Sequence, residues 1–110
     1  FPHGLGHHLG SNVHDKGSRL ANPQGELITP SPKYPNLRAS APMQANQVYT
    51  VEPGIYFIPS LLDKLRAQQP DSLDWNQIEH WIPFGGIRIE DNIILHADDR
   101  IENVTRTAFE

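Results

Sequence analysis

The chain has 110 residues, one domain's worth or less, and its 37% hydrophobic content with ten prolines and eight glycines describes a loop-rich globular piece. A formal charge of −4, with nine Lys and Arg against thirteen Asp and Glu, leaves no basic stripe and argues against nucleic acid as a partner. No apolar run approaches membrane-spanning length, Phe1-Pro2 does not read as a signal peptide, and the absence of cysteine excludes disulfides and thiolate ligands.

Residues 1–19 are rich in Gly and His and read as a loop with one helical turn. From Asn22 to Pro42 five prolines, at 23, 30, 32, 35 and 42, forbid a helix and predict an ordered excursion or flap. Residues 47–52 have strand composition and end at the turn signal Pro53-Gly54, after which 55–58 resume as a second strand. A helix is expected from Leu61 to Arg66, broken by Pro70, and a second over 74–81 with Asp71 or Ser72 as cap. Residues 85–96 alternate apolar and polar side chains, then turn apolar, predicting a hairpin pivoting near Asp91-Asn92. Trp75 and Trp81 are expected to pack the second helix onto the sheet. The sum is an α+β chain with short antiparallel strands. It starts at Phe1, inside what looks like a motif, so a fragment or processed piece is expected.

Three features carry chemistry. Four of the six histidines (His3, His7, His8 and His14) fall within the first fourteen residues, interleaved with Gly4, Gly6 and Gly10. Imidazole is the commonest side-chain metal ligand, and such crowding is rarely needed for folding. Glu52 in Val51-Glu52-Pro53-Gly54 and Glu90 in Ile87-Arg88-Ile89-Glu90-Asp91 each end a β-like run beside apolar neighbours. A half-buried carboxylate there needs a partner, and a divalent cation is the strongest available. One imidazole with two glutamates is a hard, oxygen-rich donor set that favours Mn²⁺, with Co²⁺ or Zn²⁺ also suited. The plain alternatives are a satisfied histidine in a glycine-rich loop, a glutamate bonded to turn amides, and a strand-end surface charge. His8, adjacent to His7, has a ring that points elsewhere in most backbone geometries, so surface or packing use is expected of it; His80 and His96 read as ordinary.

Taken together, His3-Gly4-Leu5-Gly6-His7, Val13-His14-Asp15, Thr50-Val51-Glu52-Pro53-Gly54-Ile55-Tyr56 and Phe84-Gly85-Gly86-Ile87-Arg88-Ile89-Glu90-Asp91 closely resemble the C-terminal part of bacterial Xaa-Pro dipeptidases. These prolidases belong to the pita-bread metallopeptidases, and the organophosphorus acid anhydrolases are similar to them. The resemblance covers nearly the whole chain. It implies the C-terminal portion of a pita-bread fold with a curved, mostly antiparallel sheet, residues 1–110 forming part of a catalytic domain whose upstream half and N-terminal domain are absent.

The resemblance further implies that His7, Glu52 and Glu90 ligate a dinuclear centre of two divalent ions, with Glu90 bridging and two aspartate ligands lying upstream. It makes His3 and His14 helpers that face the substrate, Glu52 a proton acceptor, and Arg88 an arginine pointing into the site. Arg38 would grip the free carboxylate of a dipeptide ending in proline, by the bidentate pairing that suits guanidinium, with Leu37 beside it in the pocket wall. It also implies a cytoplasmic homodimer. Phosphotriester hydrolysis at the same site and a non-catalytic binding module are the rival readings, and the isolated chain, lacking two ligands, is expected to be inactive. Two departures stand out: Ser11-Asn12 precede Val13-His14-Asp15 where the family has an apolar and a polar residue, and Lys16 replaces a small or β-branched apolar one.

Overall fold

The computed structural model describes residues 2–110. It divides into two compact units, one of residues 54–88 and one of residues 2–53 with 89–110. No helix among the described residues is long and apolar enough to cross a membrane.

The larger unit is built on a four-stranded antiparallel sheet in the order β1-β2-β5-β6, from β1 (His8–Leu9), β2 (Gln47–Val51), β5 (Asp91–Leu95) and β6 (Ile101–Asn103). β2 and β5 are the two inner strands, and β2 carries the site. It pairs with β5 from Gln47↔Leu95 to Val51↔Asp91 and with β1 at His8↔Tyr49 and Leu9↔Val48. The β1 pairing extends past the strand: Thr50 N–H donates to the His7 carbonyl at 2.9 Å and Glu52 N–H to that of Leu5 at 2.7 Å. Residues 5–9 thus run along 48–52 in one unbroken register. Of the described residues, those fully buried are Tyr49, Thr50, Glu52, His7 and Ser18, so burial concentrates on β2 and what lies against it. Four of the five are polar, and each must find partners there.

The expected hairpin at Asp91-Asn92 does not form. Non-glycine residues with positive φ are instead Asn46, just before β2, and Asp99 (φ 63°), in the turn that joins β5 to β6. A tight reversal needs such a residue, and Asp tolerates it at little cost, so the true hairpin sits at Asp98-Asp99. Its turn is closed by His96 N–H on the Arg100 carbonyl at 2.9 Å. A short helix α3 (Val104–Thr107) follows β6, capped by Asn103, whose side chain accepts from Arg106 N–H.

The smaller unit pairs β3 (Gly54–Tyr56) with β4 (Gly86–Arg88), so the strands flanking Pro53 have different partners rather than each other. Between them lie α1 (Pro59–Gln68), started by a proline at its first turn, and α2 (Trp75–Trp81). The cap of α2 is Asp74, accepting from Gln77 N–H at 3.1 Å, not Asp71 or Ser72; the helix begins one residue later than the apolar pattern suggested. Trp75 donates its indole N–H to the Pro70 carbonyl beneath the Arg66 guanidinium, and Trp81 stacks on Phe57 and meets Phe84.

Residues 10–46 connect β1 to β2. A short 3₁₀ turn at Lys16–Arg19 is capped by Asp15, and the proline-rich stretch is pinned to it by Ser18, whose carbonyl accepts from the Ser40 and Ala41 amides at 2.8 and 2.9 Å. The expected flap is therefore tethered at its C-terminal end.

Candidate metal centre

Opposite residues of an antiparallel pair share a face, and so do diagonal neighbours two positions on. The register that sets His7 against Thr50 therefore brings Glu52 to the same face. Their side chains meet: His7 Nε2 lies 3.3 Å from Glu52 Oε1, with both side chains almost fully buried. Thr50, between them, accepts from His7 N–H at 3.0 Å and directs its own proton at Glu52 Oε1, 3.3 Å away. Gly6 makes this approach possible, because a Cβ there would stand 1.9 Å from the Thr50 carbonyl oxygen.

His7 Nδ1 is 3.2 Å from the His8 carbonyl oxygen, which can only accept, so a proton on that nitrogen is directed there. The Nε2 edge of the ring faces a carboxylate oxygen in a buried setting, and imidazole nitrogen and carboxylate oxygen are both donors to divalent cations. Ligand bonds of about 2.0–2.2 Å place neighbouring donor atoms roughly 3.0–3.5 Å apart, and the observed separation falls in that range. A second interaction fixing the ligand's tautomer is the usual company of a metal-bound imidazole. The pair fits a divalent cation.

His14 sets its ring edge against His7, the centroids 4.4 Å apart at 77°. His3 holds a ring nitrogen 2.6 Å from the Gly4 carbonyl oxygen. Glu90 is exposed, one residue before β5; alternation from Asn92, which opposes Thr50, assigns it to the face that carries Glu52. Among the described residues no three His, Asp or Glu side chains converge into a complete ligand set. Arg88, in the smaller unit, donates to the Tyr56 hydroxyl at 2.8 Å. His8 packs on Tyr49 and faces Asp15 at 3.5 Å, so of the surface and packing uses expected of it the structure shows packing.

A cavity of about 210 Å³ opens beside His7, lined also by His14, Asp15, Lys16, Arg19 and Arg38. Arg38 thus shares a cavity with two of the histidines, across 24 residues or more of sequence. Leu37, expected beside it, lines a separate apolar cavity with Met43, Tyr49 and Ile93. Sequence reasoning passed over Thr50, Ser18, Lys16 and Arg19. Ser18 donates to the Arg38 carbonyl at 3.1 Å and so seats that arginine's backbone. Asp15 is held below the ordinary carboxyl range, chiefly by the Gly17 amide that it accepts at 2.8 Å.

The chain spans about a quarter of the length of the curated relatives that it matches. It is 49% identical over 109 residues to a Xaa-Pro dipeptidase of Aeromonas hydrophila, covering 98% of this chain and 24% of that protein. Xaa-Pro dipeptidases of Shewanella denitrificans and Pseudoalteromonas haloplanktis are 51% and 50% identical over 107 residues, each match covering 96% of this chain and 24% of the relative. Residues 1–97 match metallopeptidase family M24, and with the buried His7–Glu52 pair in place the conclusion follows that this chain belongs to that family.

Proposed function

We propose that these residues form the C-terminal part of a metal-dependent dipeptidase domain of pita-bread architecture that hydrolyses dipeptides ending in proline. The observation that carries the reading is the buried His7 Nε2–Glu52 Oε1 pair at 3.3 Å, an imidazole and a carboxylate held at the separation of neighbouring metal ligands. His7, Glu52 and Glu90 would hold a pair of divalent ions, Mn²⁺ by the hardness of the donors, with further carboxylates supplied from outside these 110 residues. When bound, such ions acidify water and polarise a carbonyl.

The chain's own groups do the rest. Glu52 accepts the proton of the attacking water and returns it to the proline nitrogen. His14, exposed at its edge against His7, donates to the developing oxyanion, with His3 as the second imidazole at the site. Arg38 pairs with the terminal carboxylate and sets substrate length. Leu37 supports that segment from the apolar side. The whole protein would act as a cytoplasmic homodimer.

The test is a chimera in which residues 1–109 replace the matching quarter of the Aeromonas enzyme, assayed for manganese content and for hydrolysis of an Ala-Pro dipeptide. Activity is expected, with Glu90→Ala and Glu52→Gln each losing metal and turnover together. Full turnover by Glu90→Ala with normal metal content sinks the scheme.

A further inference from the structure

The cavity beside His7 carries more positive charge than one carboxylate can use. Lys16, Arg19 and Arg38 all line it, and among the described residues none of the three has a carboxylate within ion-pair distance. The only acid on the wall is Asp15, and its Oδ1 is already taken by the Gly17 amide while facing His8. The fold brings the backbone that bears the three cations together. Lys16 and Arg19 bound the 3₁₀ turn that Asp15 caps. Arg19 Nε leans on the Arg38 carbonyl at 3.4 Å, the same oxygen that Ser18 Oγ reaches at 3.1 Å. The backbone of 16–19 and that of residue 38 are thus joined into one wall, from which the three exposed side chains extend.

Unneutralised cations that share a small cavity repel one another, and that repulsion is relieved by an anion in proportion to its charge. A single carboxylate on Arg38 leaves the other two unpaired. At about 210 Å³ the space is below the roughly 300–1,000 Å³ of drug-sized sites, so the occupant is a small group rather than a nucleotide.

We propose that Lys16 and Arg19, together with Arg38, make this cavity a subsite for a doubly anionic ligand, so that dipeptides bearing an acidic side chain beside the terminal carboxylate are favoured over neutral ones. The substrate part of this inference rests on the dipeptidase reading; the anion part does not. The first arm therefore titrates succinate and acetate into the 110-residue chain, and into the chimera, by calorimetry and amide chemical shifts. Succinate should bind on the order of tenfold more tightly at low ionic strength, with the ratio collapsing toward unity in about 0.5 M salt, where the Debye length is only a few ångströms. Lys16→Gln and Arg19→Gln should each reduce the ratio about threefold, and shifts should centre on residues 14–19 and 38.

The second arm measures kcat/KM of the manganese-loaded chimera for Glu-Pro against Leu-Pro. The acidic dipeptide should be favoured about tenfold through KM, and the double variant should erase that preference, with the KM for Glu-Pro rising more than that for Leu-Pro. A chimera that cleaves neither dipeptide refutes the dipeptidase reading alone, and the succinate titration then decides the subsite. Equal binding of succinate and acetate, or a preference that survives both substitutions, overturns the subsite.

Discussion

Gly6→Ala tests whether sheet register assembles the His7–Glu52 pair. The added Cβ would stand 1.9 Å from the Thr50 carbonyl oxygen and 2.9 Å from its carbon. A carbon and an oxygen in ordinary contact lie about 3.3–3.6 Å apart, so the two segments must part by more than about 1 Å. Both atoms belong to backbone, and no side-chain rotation relieves the clash. Three hydrogen bonds span that gap: Thr50 N–H to His7 at 2.9 Å, Glu52 N–H to Leu5 at 2.7 Å, and His7 N–H to Thr50 Oγ1 at 3.0 Å. At about 1 kcal/mol each, more where a buried donor is left unsatisfied, the loss is roughly 2–4 kcal/mol. Amide exchange read by NMR locates the damage. Protection of the Thr50 and Glu52 amides should fall on the order of 10²-fold, since 1.4 kcal/mol is a factor of ten. The His96 amide, at the far end of β5, should change less. Protection at Thr50 and Glu52 within threefold of the parent chain would refute the claim that this register depends on Gly6.

Thr50→Val keeps the shape but removes the acceptor for His7 N–H, and should cost about 1–3 kcal/mol in urea unfolding; manganese titration should weaken with it as the Glu52 carboxylate loses its donor. Ser18→Ala removes the buried hydroxyl that donates to the Arg38 carbonyl, and about 1 kcal/mol of stability is expected to go. Heightened proteolysis within residues 22–38 would report that loss. The β5–β6–α3 corner is acid-sensitive. Asp91 is held below 3.8, first by the Asn103 side-chain amide and then by Arg106, and Glu102 is held below 4.5, first by His96 at 2.7 Å and then by Arg100. Lowered folded-state values mean that the stabilisation is present above the unfolded values and lost as pH falls through the folded ones. Exchange at residues 101–103 should accordingly accelerate below about pH 4. Asp91→Asn should flatten much of that dependence, and an unchanged acid profile in that variant would count against the assignment.

How much of this was readable beforehand differs from element to element. The β2 strand, both main helices and the separation of His7 from His8 follow from local pattern, because apolar periodicity and adjacency act over a few residues. Strand partners do not: 85–96 reads as one hairpin since nothing local distinguishes a strand paired with its neighbour from one paired with residues forty positions away. The signal that could have corrected it was Asp98-Asp99, a better turn than Asp91-Asn92. At the site, His7 and Glu52 stood out by motif, whereas Thr50 is an unremarkable residue in a β-branched run and acquires its part only from register. Arg19 and Lys16 read as scattered surface charges until the turn capped by Asp15 sets them, still exposed, on the rim of the same cavity as Arg38. Leu37 and Arg38, though consecutive, line different cavities, which adjacency in sequence could not tell.

Placing His7 by the register of residues 5–9 against 48–52, rather than by a loop of its own, gives the chain an uneven tolerance to insertion. Extra residues between Asn22 and Asn36 lengthen a surface excursion and leave the ladder as it is, at a closure cost that grows only slowly with length. One residue added between Leu5 and His7 would shift every later pairing by one and turn the imidazole to the opposite face. Lineages diverging from this sequence should therefore vary freely in the length of the proline-rich segment while the spacing from Gly4 to Leu9 stays fixed, and a designer grafting new specificity would work in the first region and leave the second alone.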